Sequence, residues 1–199
     1  MTNLSHIPPI RDQLGRALRD LRISVMDRCN FRCVYCMPED KFHPGFKFLP
    51  SKERLSFDEM LRLVRIFTKL GVTKIRITGG EPLLRVNLTD FIGDLSTLDN
   101  IKDIALTTNG VLLKKYAYEL KASGLDRITV SLDSIDPNEF KLMTGGRGDL
   151  DRVLNGIDEA QRAGFQRIKV NAVIKRGINE SNILKMVEYF RDQPVILRF

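Results

Sequence analysis

The chain has 199 residues, 43% of them hydrophobic, which suffices for one domain with a real core, and it carries a net charge of +7. No apolar run approaches the length of a membrane span, and the N-terminal residues lack the apolar stretch of a signal peptide, so no membrane partner is expected. The basic residues are scattered rather than gathered into a run, which suits an anionic small ligand and argues against nucleic acid.

Residues 1–20 read as an irregular arm containing Pro8-Pro9 and a short amphipathic piece. Residues 21–26 alternate apolar and polar and predict a strand. A loop holding every cysteine of the chain follows, then a long connection from Pro38 to Leu55 broken by Pro44-Gly45 and Pro50. Ser56 and Glu59 form a capping-box pattern that opens a helix with Met60, Leu63, Val64, Phe67 and Leu70 as its apolar stripe, and Gly71 is the expected C-cap. The spacing then predicts a strand over 74–78 ending in Gly79-Gly80-Glu81-Pro82, a helix over 89–98, and a strand over 104–108 running into Asn109-Gly110. Next come a helix over 112–122, a strand over 126–132 ending in Asp133-Ser134, and a short helix from Asp136-Pro137. Gly145–Gly148 reads as a flexible loop, before a helix over 150–163, a strand over 168–174, a helix over 181–191 and a last strand over 195–199.

Alternating strands and helices predict a parallel α/β sheet with right-handed crossovers, either doubly wound or a partial barrel. The strands favour the barrel. A parallel strand buried on both faces is a near-continuous apolar run, and these are not. Side chains alternate along a strand, so Arg22 and Ser24 share a face, as do Lys74, Arg76 and Thr78, then Thr107 and Asn109, then Thr129, Ser131 and Asp133, then Lys169 and Asn171, with Arg198 in the last strand. The opposite faces carry Leu21, Ile23, Ile75, Ile77, Leu106, Thr108, Ile128, Val130, Leu132, Val170 and Ala172. One polar face and one helix-covered face predict a curved sheet around a polar lumen. Its cations call for an anion, because unpaired buried charge is costly. The bland alternative is a set of snorkelling edge charges.

Cys29, Cys33 and Cys36 stand in C-x3-C-x2-C spacing. An odd count so tightly clustered argues against disulfides, and structural zinc wants a second pair of ligands that His6 and His43 are not spaced to supply. Unoxidised thiols without an export signal point to the reducing cytoplasm. Three thiolates can hold three irons of a cubane cluster, which normally takes four Cys, and leave the fourth iron open for chemistry.

The cysteine spacing with Tyr35 before the third Cys, followed by Gly79-Gly80-Glu81-Pro82 after the next strand, resembles the radical S-adenosylmethionine (SAM) superfamily. Within it the chain is most similar to the GTP 3',8-cyclases of molybdenum cofactor biosynthesis, through Leu14–Arg16, Asp20–Arg22, Asp27–Pro38, Lys74–Pro82, Leu106–Gly110, Val130–Asp133, Lys169–Asn171 and Leu197–Phe199. The resemblance implies a partial (β/α)6 TIM-like barrel, with residues 1–199 as its radical SAM core. It implies that Cys29, Cys33 and Cys36 hold a [4Fe–4S] cluster, that SAM binds the open iron, and that Tyr35, Gly80 and Ser131 contact SAM. Arg22, Arg76, Thr107, Lys169 and Arg198 match GTP-binding positions. The implied reaction is reductive cleavage of SAM, abstraction of the ribose 3'-hydrogen of GTP and closure onto guanine C8. A flavodoxin or ferredoxin as electron donor, product hand-off to the next enzyme of molybdopterin synthesis and a homodimer are implied with it.

Two departures from the pattern stand out. Met26 occupies a place where a small polar residue is expected. Members of that family also continue beyond a sixth strand with three further cysteines for a second cluster and a Gly-Gly tail. The expectation is therefore that these 199 residues bind one cluster and SAM but make little cyclised GTP alone. The competing expectations are a radical SAM enzyme for another substrate, such as a peptide, and a non-catalytic iron–sulfur or zinc module.

Overall fold

The structure is a computed structural model and describes residues 10–199, so the first half of the N-terminal arm, with His6 and Pro8-Pro9, lies outside the described residues. Six strands, β1 (Asp20–Ser24), β2 (Lys74–Thr78), β3 (Asp103–Thr108), β4 (Arg127–Ser131), β5 (Ile168–Asn171) and β6 (Val195–Arg198), form one sheet. Their spatial order is their sequence order, every pair is parallel, and the two outer edges do not meet. The helices between them are α1 (Phe57–Lys69), α2 (Leu88–Ser96), α3 (Leu113–Ala122), α4 (Pro137–Met143), α5 (Leu150–Arg162) and α6 (Ile183–Phe190).

The predicted parity is the observed one. The register aligns Ile23, Ile77, Leu106, Ile128, Ile168 and Val195 across all six strands. Ile77, Leu106, Ile128 and Ile168 are wholly buried on the helix side, and each contributes on the order of 2–3 kcal/mol by leaving water. One residue along, the register runs Arg22–Arg76–Ala105–Arg127 and Thr107–Thr129–Lys169–Ile196, and this is the polar face.

Local signals set most helix ends. Ser56 Oγ accepts from the Glu59 amide at 3.1 Å while Glu59 returns a carboxylate to the Ser56 amide at 2.7 Å. Gly71 ends α1 with φ +106°, the left-handed conformation that glycine adopts without strain. Asp136 and Asp149 cap α4 and α5 by accepting from backbone amides.

Three sequence expectations shift. In α1 the buried residues are Met60, Leu61 and Val64, and Leu63 is exposed; the helix packs on a stripe rotated towards Leu61. Thr108 is buried among the apolar positions yet gives its hydroxyl to Glu81 at 2.7 Å. The glycine loop at 145–148 is docked rather than loose: Arg32 and Val34 donate amides to the Thr144 and Met143 carbonyls, each at 3.1 Å. A Cβ on Gly145 would run into the Arg32 carbonyl. Met26 is buried, and its carbonyl accepts from the Gly80 amide at 2.6 Å, so the neighbouring loop reads its backbone rather than its side chain.

Candidate active site

The loops that leave the C-terminal ends of the strands meet in a cavity of about 210 Å³, the end at which α/β barrels place their chemistry. Its wall contains Cys29, Cys33 and Cys36 together with Tyr35, Gly80, Thr107 and Ser131. Arg22, Arg76, Lys169 and Arg198 are not part of that wall. They stand on the lumen face of the sheet, Lys169 level with Thr107 through Thr129, and Arg198 level with Ser131 through Asn171. The predicted residues therefore fall into two adjoining groups, thiols and small polar groups above and cations on the same face of the strands.

The cysteine loop is held by its own arginine. Arg32 is buried, and its Nη1 donates to the carbonyls of Cys29 at 2.9 Å and Phe31 at 2.8 Å, while Nε reaches the Phe42 carbonyl at 3.1 Å. A charged donor with several acceptors fixes the loop more firmly than neutral bonds would. The Gly-Gly-Glu-Pro segment then locks onto the start of this loop. Gly80 and Glu81 give their amides to Met26 and Arg28, and a Cβ on Gly80 would collide with the Arg28 carbonyl. The chain's own close approach thus requires this glycine.

Glu81 is 1% exposed and, among the described residues, is in no salt bridge. Its carboxylate accepts from the Leu83 amide at 3.0 Å, the Thr108 hydroxyl at 2.7 Å and the Asn109 amide at 2.7 Å. Burial pushes its pKa up, and those three donors pull against the rise. Asn109 passes the connection on: its side-chain Nδ2 donates to Asn30 Oδ1 at 2.7 Å and to Cys29 Sγ at 3.8 Å. On the other wall, Tyr35 donates its hydroxyl to Asp133 Oδ2 at 2.8 Å, and Asp133 Oδ1 accepts from the Val173 amide at 2.9 Å. Burial raises the Asp133 pKa, and burial followed by the Asp133 charge raises that of Tyr35.

Two of the thiols, Cys29 and Cys33, are biased towards the neutral form. Burial pushes Cys33 up to about 12, with Asp133, Cys29 and Cys36 adding to the rise. Burial likewise raises Cys29, against the Phe31 amide and the Asn109 side chain. Such thiols are poor nucleophiles, and a bound metal is what would deprotonate them. Among the described residues no three His, Cys, Asp or Glu side chains converge on a single-ion position. Three thiols around one cavity therefore suit a cluster that takes one thiolate per iron better than a mononuclear zinc centre.

The lumen cations differ in their partners. Arg127 makes a two-pronged pair with Asp103, Nε to Oδ1 at 2.6 Å, and Arg76 Nε lies 3.4 Å from Asp20 Oδ1. Among the described residues Arg22, Lys169 and Arg198 have no such carboxylate. Desolvation lowers the Lys169 pKa, and the charges of Arg127, Arg198 and Arg76 lower it further.

Sequence reasoning missed Arg32, Asp103, Arg127 and the linking role of Asn109. The parity rule could have found Arg127 and Asp103, which begin their strands on the lumen face. Nothing local could have paired Glu81 with Asn109, 28 residues away.

Residues 23–190 match the family described as the Radical SAM superfamily. The chain is 52% identical over 191 residues to a GTP 3',8-cyclase of Xanthomonas axonopodis pv. citri, covering 96% of this chain and 57% of that protein. It is 53% identical to the GTP 3',8-cyclase of Acidothermus cellulolyticus, covering 96% of this chain and 53% of that protein. The chain thus spans about half the length of the curated relatives it matches. Among solved structures the fold resembles methylornithine synthase (PylB), with TM-score 0.67, 14% identity, and 92% and 54% of the two chains covered. It also resembles anSMEcpe with bound AdoMet, with TM-score 0.66, 17% identity, and 90% and 51% covered.

Proposed function

The chain belongs to the radical SAM superfamily, and on that premise we propose that it is the radical SAM core of a GTP 3',8-cyclase acting in the first step of molybdenum cofactor biosynthesis. The observation that carries this reading is the three-thiol cavity on a lumen face where, among the described residues, Arg22, Lys169 and Arg198 have no carboxylate partner, Lys169 and Arg198 standing level with Thr107 and Ser131 of the cavity wall. The half-identical relatives that bear the same activity support it.

Cys29, Cys33 and Cys36 would each ligate one iron of a [4Fe–4S] cluster. When bound, cluster and SAM supply a 5'-deoxyadenosyl radical through one-electron cleavage of the sulfonium. The rest is positioning by the protein. Arg32 and the Gly80–Glu81 strap hold the cysteine loop rigid. Tyr35, Gly80 and Ser131 line the cavity where SAM would lie. Arg22, Arg76, Lys169 and Arg198 bind the triphosphate, which offsets the charges of Arg127, Arg198 and Arg76 around Lys169, and Arg forks suit phosphate oxygens. Thr107, on the cavity wall and level with Lys169, contacts the nucleoside between the two groups. Phe31 and Phe140, which meet edge to face with centroids 6.1 Å apart and line the cavity, give it an apolar wall that limits stray hydrogen donors near the radical.

A flavodoxin or ferredoxin as reductant, a homodimer, hand-off to the next enzyme of the pathway and a cytoplasmic setting belong to the same reading. So does a second cluster on the part of the relatives that lies beyond the match. Among the described residues no helix is long and apolar enough to cross a membrane.

Anaerobic reconstitution is the test. Four irons per chain, a spectral change on adding SAM and selective binding of GTP over other nucleotides are expected. One zinc per chain without a response to SAM overturns the cluster, and a preference for peptide over GTP overturns the substrate.

A further inference from the structure

Asn109 has its backbone amide and both side-chain polar atoms assigned. Its amide donates to Glu81 Oε2 at 2.7 Å, its Oδ1 accepts from the Val111 amide at 3.2 Å, and its Nδ2 is shared between Asn30 Oδ1 at 2.7 Å and Cys29 Sγ at 3.8 Å. The residue is 8% exposed, at the wall of the thiol cavity. Its orientation is fixed from both sides: Val111 requires an oxygen, and Asn30 and Cys29 require a donor. A buried N–H thus points at one sulfur of the thiol set, supported by a carboxylate on the opposite segment. The Phe31 amide also donates to Cys29 Sγ, at 3.4 Å, so this sulfur has two donors.

We propose that Asn109 is a positioning residue for the first cluster ligand, which seats Cys29 and donates to its sulfur so as to ease one-electron reduction of the cluster. The inference rests on the reading that the three thiols hold a [4Fe–4S] cluster. The physical ground is that donors to ligand sulfur draw charge from the thiolate and favour the reduced, more negative state, one of the levers that set iron–sulfur potentials. The outer partners of metal ligands act in the same way on orientation.

The test is a redox titration of the reconstituted chain with titanium(III) citrate, which gives up one electron per cluster reduced. Reduction is followed by electron paramagnetic resonance, and iron is counted in each sample. Asn109→Ala removes both the donor and the acceptor for Val111. Asn109→Asp keeps the acceptor and replaces the donor by a negative oxygen. Both are expected to shift the equilibrium at least tenfold towards the oxidised cluster, which is 59 mV for one electron, with Asp shifting further than Ala. Asn30→Ala removes the electron-rich Oδ1 that lies 4.0 Å from Cys29 Sγ and opposes added negative charge there, and is expected to shift the equilibrium severalfold the other way. An unchanged potential in Asn109→Asp overturns the proposal even if Asn109→Ala moves, because the loop cap would then explain the effect. Should the Asn109 variants fail to take up iron, the sign of the Asn30→Ala shift decides: no shift, or one towards oxidised, overturns it. If the unsubstituted chain does not take up four irons, the cluster reading fails instead.

Discussion

Low on the lumen face, Arg127 and Arg76 each meet a carboxylate from the neighbouring strand, whereas Arg22, Lys169 and Arg198 on the same face meet none among the described residues. The two sets come from the same strand alternation, so sequence pattern does not distinguish them. Their partners do. A cation already paired contributes to the fold, while one left unpaired beside other cations raises the energy of the empty lumen and lowers it again when an anion arrives. In the proposed reading Arg127 serves the sheet, Arg22, Lys169 and Arg198 serve a ligand, and Arg76, half exposed beside Asp20, is shared between the two.

This contrast can be broken most strongly at Asp103. Its pair with Arg127 is 15–17% exposed, so Asp103→Asn would leave a largely buried guanidinium uncompensated and cost about 3 kcal/mol. Denaturant unfolding reads the loss, and the double variant Asp103→Asn with Arg127→Met should recover most of it. If the single variant costs nothing, the pair is not structural.

The opposite behaviour is expected at Lys169. Lys169→Met should leave unfolding unchanged or slightly more costly, yet weaken GTP about 10–30-fold, the equivalent of roughly 1.5–2 kcal/mol for a charged contact. Calorimetric titration measures the affinity. Destabilisation without loss of GTP would place Lys169 in the wrong set.

A pH experiment sharpens the same point. The folded pKa of Lys169 is lowered, chiefly by desolvation and then by Arg127, Arg198 and Arg76. For a base this disfavours the charged form, so Lys169 lowers the stability of the empty chain below that pKa, and the penalty fades as pH rises through it. Triphosphate restores the charge. GTP binding at alkaline pH should therefore take up protons, read from binding heats in buffers of different ionisation enthalpy, and Lys169→Met should abolish that uptake.

The smallest effect is expected at the other pair. Arg76 and Asp20 are about half exposed, so water screens them, and Asp20→Asn should cost only about 0.5 kcal/mol. A loss near that of Asp103→Asn would mean that burial does not separate the two pairs.

The alternation of Arg22, Arg76 and Lys169 with Ile23, Ile77 and Val170 is legible because side-chain parity is a property of the chain itself. It fixes which face is polar before any strand finds its neighbour. The helix ends at Ser56, Gly71 and Asp136 are legible for the same reason, since a cap joins residues a few positions apart. Gly80 is singled out in the sequence only by the resemblance, as a SAM contact, and nothing local shows that the group nearest to it is the Arg28 carbonyl. The docking of Gly145 on Arg32 and the pairing of Arg127 with Asp103 are equally invisible, because each joins segments brought together only by the closing of the sheet.

By itself the sequence determined the parallel order of elements, the polar parity of the strands and the three clustered thiols, all of which follow from local spacing. Only the tertiary structure decided which lumen cations are neutralised and that Glu81 and Asn109 link the Gly-Gly-Glu-Pro segment to Cys29. Those facts depend on distances between residues as far as 80 positions apart, and strand register sets such distances where no local rule does.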